Sequence, residues 1–528
     1  MNNRWRIAAA VTALATIAPL AACQSTPAPS DQLVLADSQP LGEYNPLLGY
    51  GSLGVSPIYE GLLKPAADID RTLPHLTPAL AADAPERLSD RAWKIRLRPN
   101  ITFSDGTALD SADVVATYKA VASTTVAADI ANQFAPIESV TADGPLAVTV
   151  TLSHNVSPDP YLLLGIVPSE KVQDKPAAEW DLNTHPVGTG PYRLDSLRPD
   201  QAVLTARDDY WNRTPAIRRV VYSYVPDDNT RSQMVATGQV DGANLPPRLA
   251  KANDGKNNTT MVTVSTADWR GISLPASNPF TADQTARTAM NLGVDRTALI
   301  RDVLAGSGEP AFTPVAPVYG AAYNPDATFT HDAQSAAAML DRAGWIRGAD
   351  GIRSRGADRA AFTVLYDAKD TVRRDLGVAF ADAMKNLGIE VTVTGSSWDD
   401  IETRISTDAV VLAGGEMPYS IDQQTYTTLH TREPGSSPFS NPGNFIAPGL
   451  DALLEQARSM PDSPTKNNLY REIQKRYVSA PGSVYLAFMH HTYTTRDTGM
   501  RHPKPILEPH IHGTSWGPWW DLGAWSAR

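Results

Sequence analysis

The chain of 528 residues is 42% hydrophobic and 20% charged, enough apolar material for a packed core and too much for disorder over the bulk of its length. A formal net charge of −11 offers no basic field to nucleic acid, and a single cysteine leaves neither an intramolecular disulfide nor a thiolate-rich metal cluster. With 42 prolines and 35 glycines the chain is rich in turns, which argues against a long helical bundle.

At the N-terminus, Arg4 and Arg6 precede an apolar stretch from Ile7 to Ala22 that holds no acidic residue, the build of a signal peptide. The stretch ends in Leu20-Ala21-Ala22-Cys23, small residues before a cysteine, as in a bacterial lipobox. Residues 1–22 are therefore expected to be a lipoprotein signal peptide, with Cys23 the lipidated first residue of the mature chain. Residues 23–31, polar and Pro-containing, read as a flexible tether. No other apolar stretch approaches the roughly 20 residues that span a bilayer. The protein is thus expected to be exported and held at the outer face of the cell membrane by lipid.

From Gln32 onward strand-like and helix-like segments alternate, which predicts a mixed α/β architecture. Trp93 to Arg98 alternates apolar and charged residues, the pattern of a strand with one wet face. After the turn Ser104-Asp105-Gly106-Thr107, Ser111 is placed to cap a helix through Asp113 and Tyr118. Leu146 to Leu152 and Arg218 to Val225 read as further strands. Ala333 to Ala343 and Val372 to Leu387 read as amphipathic helices, the second stopped by Gly388 before a strand at Ile389 to Val393. No short-period repeat or internal low-complexity linker separates these pieces, so the domains are expected to be intimately joined.

Several separated motifs are shared with one family: Trp93 to Thr107 continuing to Ala112-Asp113-Val114-Val115, then Pro186-Val187-Gly188-Thr189-Gly190-Pro191-Tyr192, and then Tyr210-Trp211-Asn212 with Pro215-Ala216-Ile217. Gly238-Gln239-Val240-Asp241, Arg287 to Met290 with Val294-Asp295-Arg296, and Ala343-Gly344-Trp345 follow in the same order. The ordered set resembles the extracytoplasmic solute-binding proteins of ABC importers, specifically the large peptide and nickel-binding family, family 5. The motifs themselves read as turn chemistry and packing: the glycines suit positive φ, and Trp93, Tyr192, Trp211 and Trp345 suit a core.

The resemblance implies an α/β, bilobed periplasmic-binding-protein-like fold of the large class, with an extra subdomain in the first lobe. Residues 32–275 plus 497–528 would form lobe I, with the inserted subdomain at about 61–185, and residues 276–496 would form lobe II. It implies a non-enzymatic lipoprotein that captures a peptide or peptide-like solute between its lobes as a monomer, with no cofactor and no resident metal. It would deliver that solute to an ABC permease and its ATPase subunits. Metal-chelate or sugar-like ligands in the same fold are the alternative. An exported hydrolase is the competing class, but no Gly-x-Ser-x-Gly, His-Glu-x-x-His or Ser-x-x-Lys set supports it.

In relatives the cleft is lined by the loop after the first strand and by two segments of the second lobe. That correspondence nominates Tyr50 and Leu53 from the loop Asn45 to Gly54, Trp398 after Ser397, and Gly415, Glu416 and Tyr419 from Ala413 to Tyr419, with Asp422 just beyond. Two departures stand out. Peptide-binding relatives anchor the ligand amine with an aspartate before the tyrosine, where this chain has Pro418. The arginines with which nickel-binding relatives grip a chelate would fall near Thr124 and Gly165, and neither place holds one. Among histidines, His490 and His491 would point to opposite faces of a strand, and His510 and His512 lack an identifiable third ligand. The aromatic stretch Gly513 to Trp520 reads as a tail packed on the first lobe, with stacking on a sugar or aromatic ligand the alternative.

Overall fold

A computed structural model describes residues 31–66, 73–510 and 513–528. The signal segment, Cys23 and the tether up to Ser30 lie outside the described residues, as does His512. Among the described residues no helix is long and apolar enough to cross a membrane.

Eleven strands of the described residues join into one sheet. In chain order they are β1 (Gln32–Asp37), β2 (Tyr192–Arg198), β3 (Gln201–Ala206), β4 (Arg219–Tyr224), β5 (Gly242–Asn244), β6 (Thr259–Ser273), β7 (Gly308–Pro310), β8 (Ala361–Asp367), β9 (Glu390–Ser396), β10 (Ala409–Gly414) and β11 (Ser483–Arg496). Their order across the sheet is β9-β8-β10-β6-β11-β5-β1-β4-β3-β2, with β7 also paired to β11. The central pair, β6 with 15 residues and β11 with 14, runs antiparallel from Thr259 opposite Arg496 to Ser273 opposite Ser483. At about 3.3 Å per residue such strands reach roughly 45 Å, longer than one lobe needs. The first half of β6 and the last of β11 continue into β5 and β1; their other halves continue into β10 and β8. Between Ser265 and Trp269 the register slips.

In the second lobe the alternation of side chains along each strand fills two cores. Val364, Val411, Val484 and Leu486 face one core with Phe280, Trp345 and Phe380. Leu365, Val410, Leu412 and Tyr485 face another with Tyr470, Ile473 and Tyr477. Both faces are therefore dry, which explains runs such as Ala409-Val410-Val411-Leu412 that lack polar alternation. The first lobe has its own core, to which β1, β4 and the tail residues Trp516, Trp519, Trp520 and Trp525 contribute. A separate four-stranded antiparallel sheet, built from Glu86–Arg87, Ala92–Arg96, Ile137–Ala142 and Ala147–Leu152, lies between β1 and β2 in sequence.

The expected strands and helices are present with ends shifted by up to three residues, the largest shift being Ile389 to Val393, found as Glu390–Ser396. The first helix, α1 (Ser111–Val121), is capped one residue earlier than expected. Asp110 accepts from Ala112 N, its own N–H meets the Asp113 side chain, and Ser111 turns instead to Gly144 O at 2.8 Å. After the strand at Arg219–Tyr224, Asp227 caps α2 (Asp228–Thr237) by accepting from Thr230 N. Trp345 is fully buried and donates to Asp283 at 3.0 Å; Tyr192 is buried with its hydroxyl on Ile217 O. Tyr210 and Trp211 both donate to buried Glu60, at 2.7 and 2.8 Å.

The glycine motif departs from expectation. Gly106 sits at φ 88° with nothing near its missing side chain, as a turn glycine should. Gly188 and Gly190 are not in the positive-φ region; they are needed because the chain presses on Ile58, where a Cβ would lie 2.2 and 2.6 Å from its carbonyl oxygen. Gly188→Ala is therefore expected to cost about 3 kcal/mol, the upper end for overpacking, because backbone must move. Gly106→Ala should cost about 1 kcal/mol, from φ alone. Urea or thermal denaturation of both variants checks the ordering.

Candidate ligand-binding cleft

The loop after β1 turns through a short 3-10 helix, Pro46–Leu48, capped by Asn45, whose side-chain Oδ1 accepts from Leu47 N at 3.1 Å. This tight fold holds Tyr44, Tyr50 and Leu53 along a cavity of about 330 Å³ in the first lobe. Residues Thr514 to Trp516 of the tail close its floor, so the tail packs on the first lobe and also lines a cavity. A second cavity of about 360 Å³ lies against the other lobe, lined by Trp269, Arg373, Trp398, Leu412 and His510. Asp129, Gln133 and Glu416 line both, so the two form one cleft with walls from both lobes.

Of the residues nominated by sequence, Tyr50 and Leu53 line the first cavity, Trp398 the second, and Glu416 their junction. Ser397 caps α3 (Trp398–Arg404) by accepting from Asp400 N, which fixes Trp398 at the first helical position. Its ring meets Phe439 edge-on at 5.7 Å and lies 5.0 Å from the Arg373 guanidinium. Gly415, Tyr419 and Asp422 lie behind the wall. Gly415, at φ 113°, lets the loop press on β6, where a Cβ would come within 2.9 Å of Asp268 Cα, and so sets the place of Glu416. Tyr419 donates to Leu507 O at 2.8 Å, and burial raises its pKa. Asp422, 5% exposed, receives two bonds from Arg458 Nε at 3.2 Å and one from Nη2 at 2.9 Å.

Sequence reading missed Arg373 and the network behind it. Asp268, wholly buried at the register slip, accepts from Arg270, from His491 Nε2 at 3.0 Å and from His510 Nδ1 at 3.2 Å. His491 Nδ1 donates to Glu508 at 2.8 Å, and Glu508 also accepts from Tyr493 and Gly517 N, each at 2.7 Å. Arg373 Nη2 meets His510 Nε2 and Arg270 Nη1 meets His510 Nδ1, each at 3.3 Å, so the ring stands between two guanidiniums. Arg373 also donates to Asp370 at 3.0 Å and Val411 O at 2.7 Å. Burial opposes the charge on Asp268, but Arg270, His510 and His491 outweigh it and hold the carboxyl well below its usual range. Burial likewise opposes an imidazolium at His491, yet bonds to Asp268 and Glu508 raise its pKa. As expected of neighbours on a strand, His490 points the other way, to Glu309 at 3.2 Å. Among the described residues no group of three or more His, Cys, Asp or Glu is arranged to hold a metal ion.

Two lobes on one sheet, joined through two strands and enclosing a cleft, define a bilobed binding protein. The profile of the bacterial extracellular solute-binding proteins, family 5 middle region, matches residues 75–436, and the chain belongs to that family. Protein XP55 of Streptomyces lividans is 35% identical over 456 residues, 86% of this chain and 82% of the relative. The oligopeptide-binding protein AppA of Bacillus subtilis is 25% identical over 418 residues, 75% of each chain. AppA in complex with a nonapeptide superposes with a TM-score of 0.78 at 21% identity, covering 95% of this chain and all of that one. NikZ from Campylobacter jejuni in complex with Ni(L-His) superposes with a TM-score of 0.82 at 19% identity, over 94% of this chain and 100% of its own.

The buried network gives a pH signature. His491 has a folded pKa above its unfolded value of about 6.5. Its contribution is complete below that pH and is lost as pH rises through the folded value. Asp268 has the opposite sense, contributing above about pH 4 and losing that contribution only as pH falls toward its depressed value. Melting temperature should thus fall from pH 6.5 to 9, and the fall should shrink in His491→Gln. Separately, Asp422→Ala leaves Arg458 largely buried without its carboxylate, a loss of about 3–5 kcal/mol that denaturant titration would read.

Proposed function

We propose that this chain is the solute-capturing subunit of an ABC importer, binding a peptide or peptide-like small molecule between its lobes and handing it to a membrane permease and its ATPase. The observation that carries the reading is the cleft itself: two cavities, one against each lobe, that meet at Glu416 and Asp129. A ligand there touches both lobes, so its binding energy favours the closed arrangement of an open-closed equilibrium. In this reading the lobes follow the division 32–275 with 497–528 and 276–496 in outline. The chain crosses between them inside β6 and β11, where the slip near Thr266–Asp268 supplies the hinge.

Tyr50, Leu53, Trp398 and Glu416 are the proposed contacts, with Gly415 and Tyr419 positioning the second-lobe loop and Asp422 fastening its helix to Arg458. The protein acts at the outer face of the membrane, tethered through a lipid on Cys23. The match to a family of extracellular proteins and the lipobox before Cys23 support this location.

Small-angle scattering with a pooled library of random pentapeptides is expected to show a smaller radius of gyration than the free protein; an unchanged curve while a pentapeptide is retained by mass spectrometry sinks the trap. Trp398→Ala should weaken retained peptides about tenfold, the scale of a lost aromatic contact, while barely moving the melting temperature, since the ring is 37% exposed. In cells, Cys23→Ala should move the protein from the membrane fraction to the soluble one.

A further inference from the structure

We infer that the second-lobe cavity recognises a neutral group carrying a hydrogen-bond donor and an acceptor side by side, a carboxamide or a vicinal diol, and that Gln424 reads it. The inference rests on the reading of this cleft as the capture site and names the chemistry selected at its second-lobe end.

A buried amide without a partner is the first observation. Gln424 lines the cavity of about 360 Å³ and is 4% exposed, yet its side-chain amide makes no hydrogen bond among the described residues. The amide is not sealed off as the Trp269 ring N–H is, so the surface it keeps opens on the cavity it lines. An amide taken out of water unpaired is costly. Its N–H asks for an acceptor and its carbonyl for a donor, whichever end points outward. A carboxylate supplies only the acceptor and an ammonium only the donor. A carboxamide or a vicinal diol supplies both from one small neutral group.

The helix face around Gln424 is the second, independent observation. Ser420 caps α4 (Ile421–Leu429) by accepting from Gln423 N, and the helix then presents Gln423, Gln424, Thr427 and Thr428 to the cavity. These positions form one stripe of the helix surface, and all four are polar and uncharged. A stripe built for packing would be apolar instead. Gln423 is engaged already, its Nε2 donating to Tyr161 of the first lobe at 3.3 Å, which leaves Gln424 as the open amide. The arginine of the cavity is engaged too. Arg373 donates through Nε to Asp370 at 3.0 Å and through Nη1 to Val411 O at 2.7 Å, and its Nη2 meets His510 at 3.3 Å. Glu416 and Asp129 stand at the junction with the first cavity. Trp398 and Phe439, edge-on to each other, add an aromatic surface for the apolar part of the same ligand group.

The test uses the purified chain and probes that share a phenyl ring: benzamide, acetophenone, benzoate, benzamidinium, styrene glycol and phenethyl alcohol, with affinities read by ligand-observed NMR. Benzamide is expected to bind at least about tenfold more tightly than acetophenone or benzoate, the scale of two hydrogen bonds made together. Gln424→Met should bring the three within about twofold of one another. Gln424→Glu should raise benzamidinium relative to benzamide by at least about tenfold over the parent, because the new side chain only accepts. Gln424→Met should also melt no lower than the parent, since it removes an unpaired amide and no contact; a lower melting temperature makes the glutamine structural and overturns the inference. Preference for styrene glycol over phenethyl alcohol, lost in Gln424→Met, identifies a diol as a group the site accepts; preference for benzamide alone identifies a carboxamide. No preference in either pair, binding of no probe, or a preference that survives Gln424→Met overturns the inference. The capture reading fails separately. If pentapeptides are retained and close the lobes but neither benzamide nor the diol is preferred, the role of Gln424 falls and capture stands. If the preference holds and is lost in Gln424→Met while no pentapeptide is retained, the role of Gln424 stands and the peptide reading falls.

Discussion

The carboxylate of Asp268 is the constraint on which the rest of the cleft depends. It is wholly buried at the point where the two longest strands slip register, and a buried charge is tolerated only when paired and hydrogen-bonded on all sides. Its partners come from every part of the molecule: Arg270 on β6, His491 on β11 and His510 in the tail. Arg373, from the helix after β8, joins through His510. One negative charge thereby fixes the crossing strands, the tail and one wall of the ligand cavity relative to each other. Replacing it with an apolar residue would free three cationic or polar groups at once, so the network is retained as a unit.

That arrangement explains the electrical asymmetry of the cleft. Asp268 draws nitrogen donors to the strand crossing, and Arg373 and His510 are the two of that network that also line the second cavity with Trp398. The far chamber has no such obligation and is walled by acids and tyrosines. Departures from relatives fit this division. By the resemblance read from sequence, an aspartate is missing at Pro418 and arginines at Thr124 and Gly165. This chain has a different arginine, on another element, and a glutamate two residues before Pro418.

Sequence disclosed the fold well because the fold rests on local signals. Alternation in Trp93 to Arg98, the helix stop at Gly388 (φ 78°) and the ordered motifs all reflect backbone and packing rules that act over a few residues. The cleft was legible only where a family position could be carried across, as for Tyr50, Leu53, Trp398 and Glu416. Tyr222, Asp129, Arg373 and His510 carry no local mark. Tyr222 reads as one more strand residue of β4, and Arg373 as an ordinary basic residue in the first turn of a helix. Gly188 and Gly190 show the same limit from the packing side: their need arises from Ile58, some 130 residues away in sequence, and not from their own turn.

The tail is the element that turns two lobes into one site. Glu508 and His510 complete the network at Asp268, while Gly513 to Trp516 close the first-lobe chamber, Gly513 pressed so near Asp37 that a Cβ would lie 2.7 Å from its carboxylate. Thr514 joins β1 to the tail across 477 residues of sequence. Contacts of such separation form late, because loop closure must precede the contacts that reward it. The first-lobe core, the chamber floor and the compensation of Asp268 all wait for the tail to dock. The same few residues therefore complete both the strand crossing at Asp268 and the wall of the cleft, which couples the geometry of the cleft to the completion of the fold.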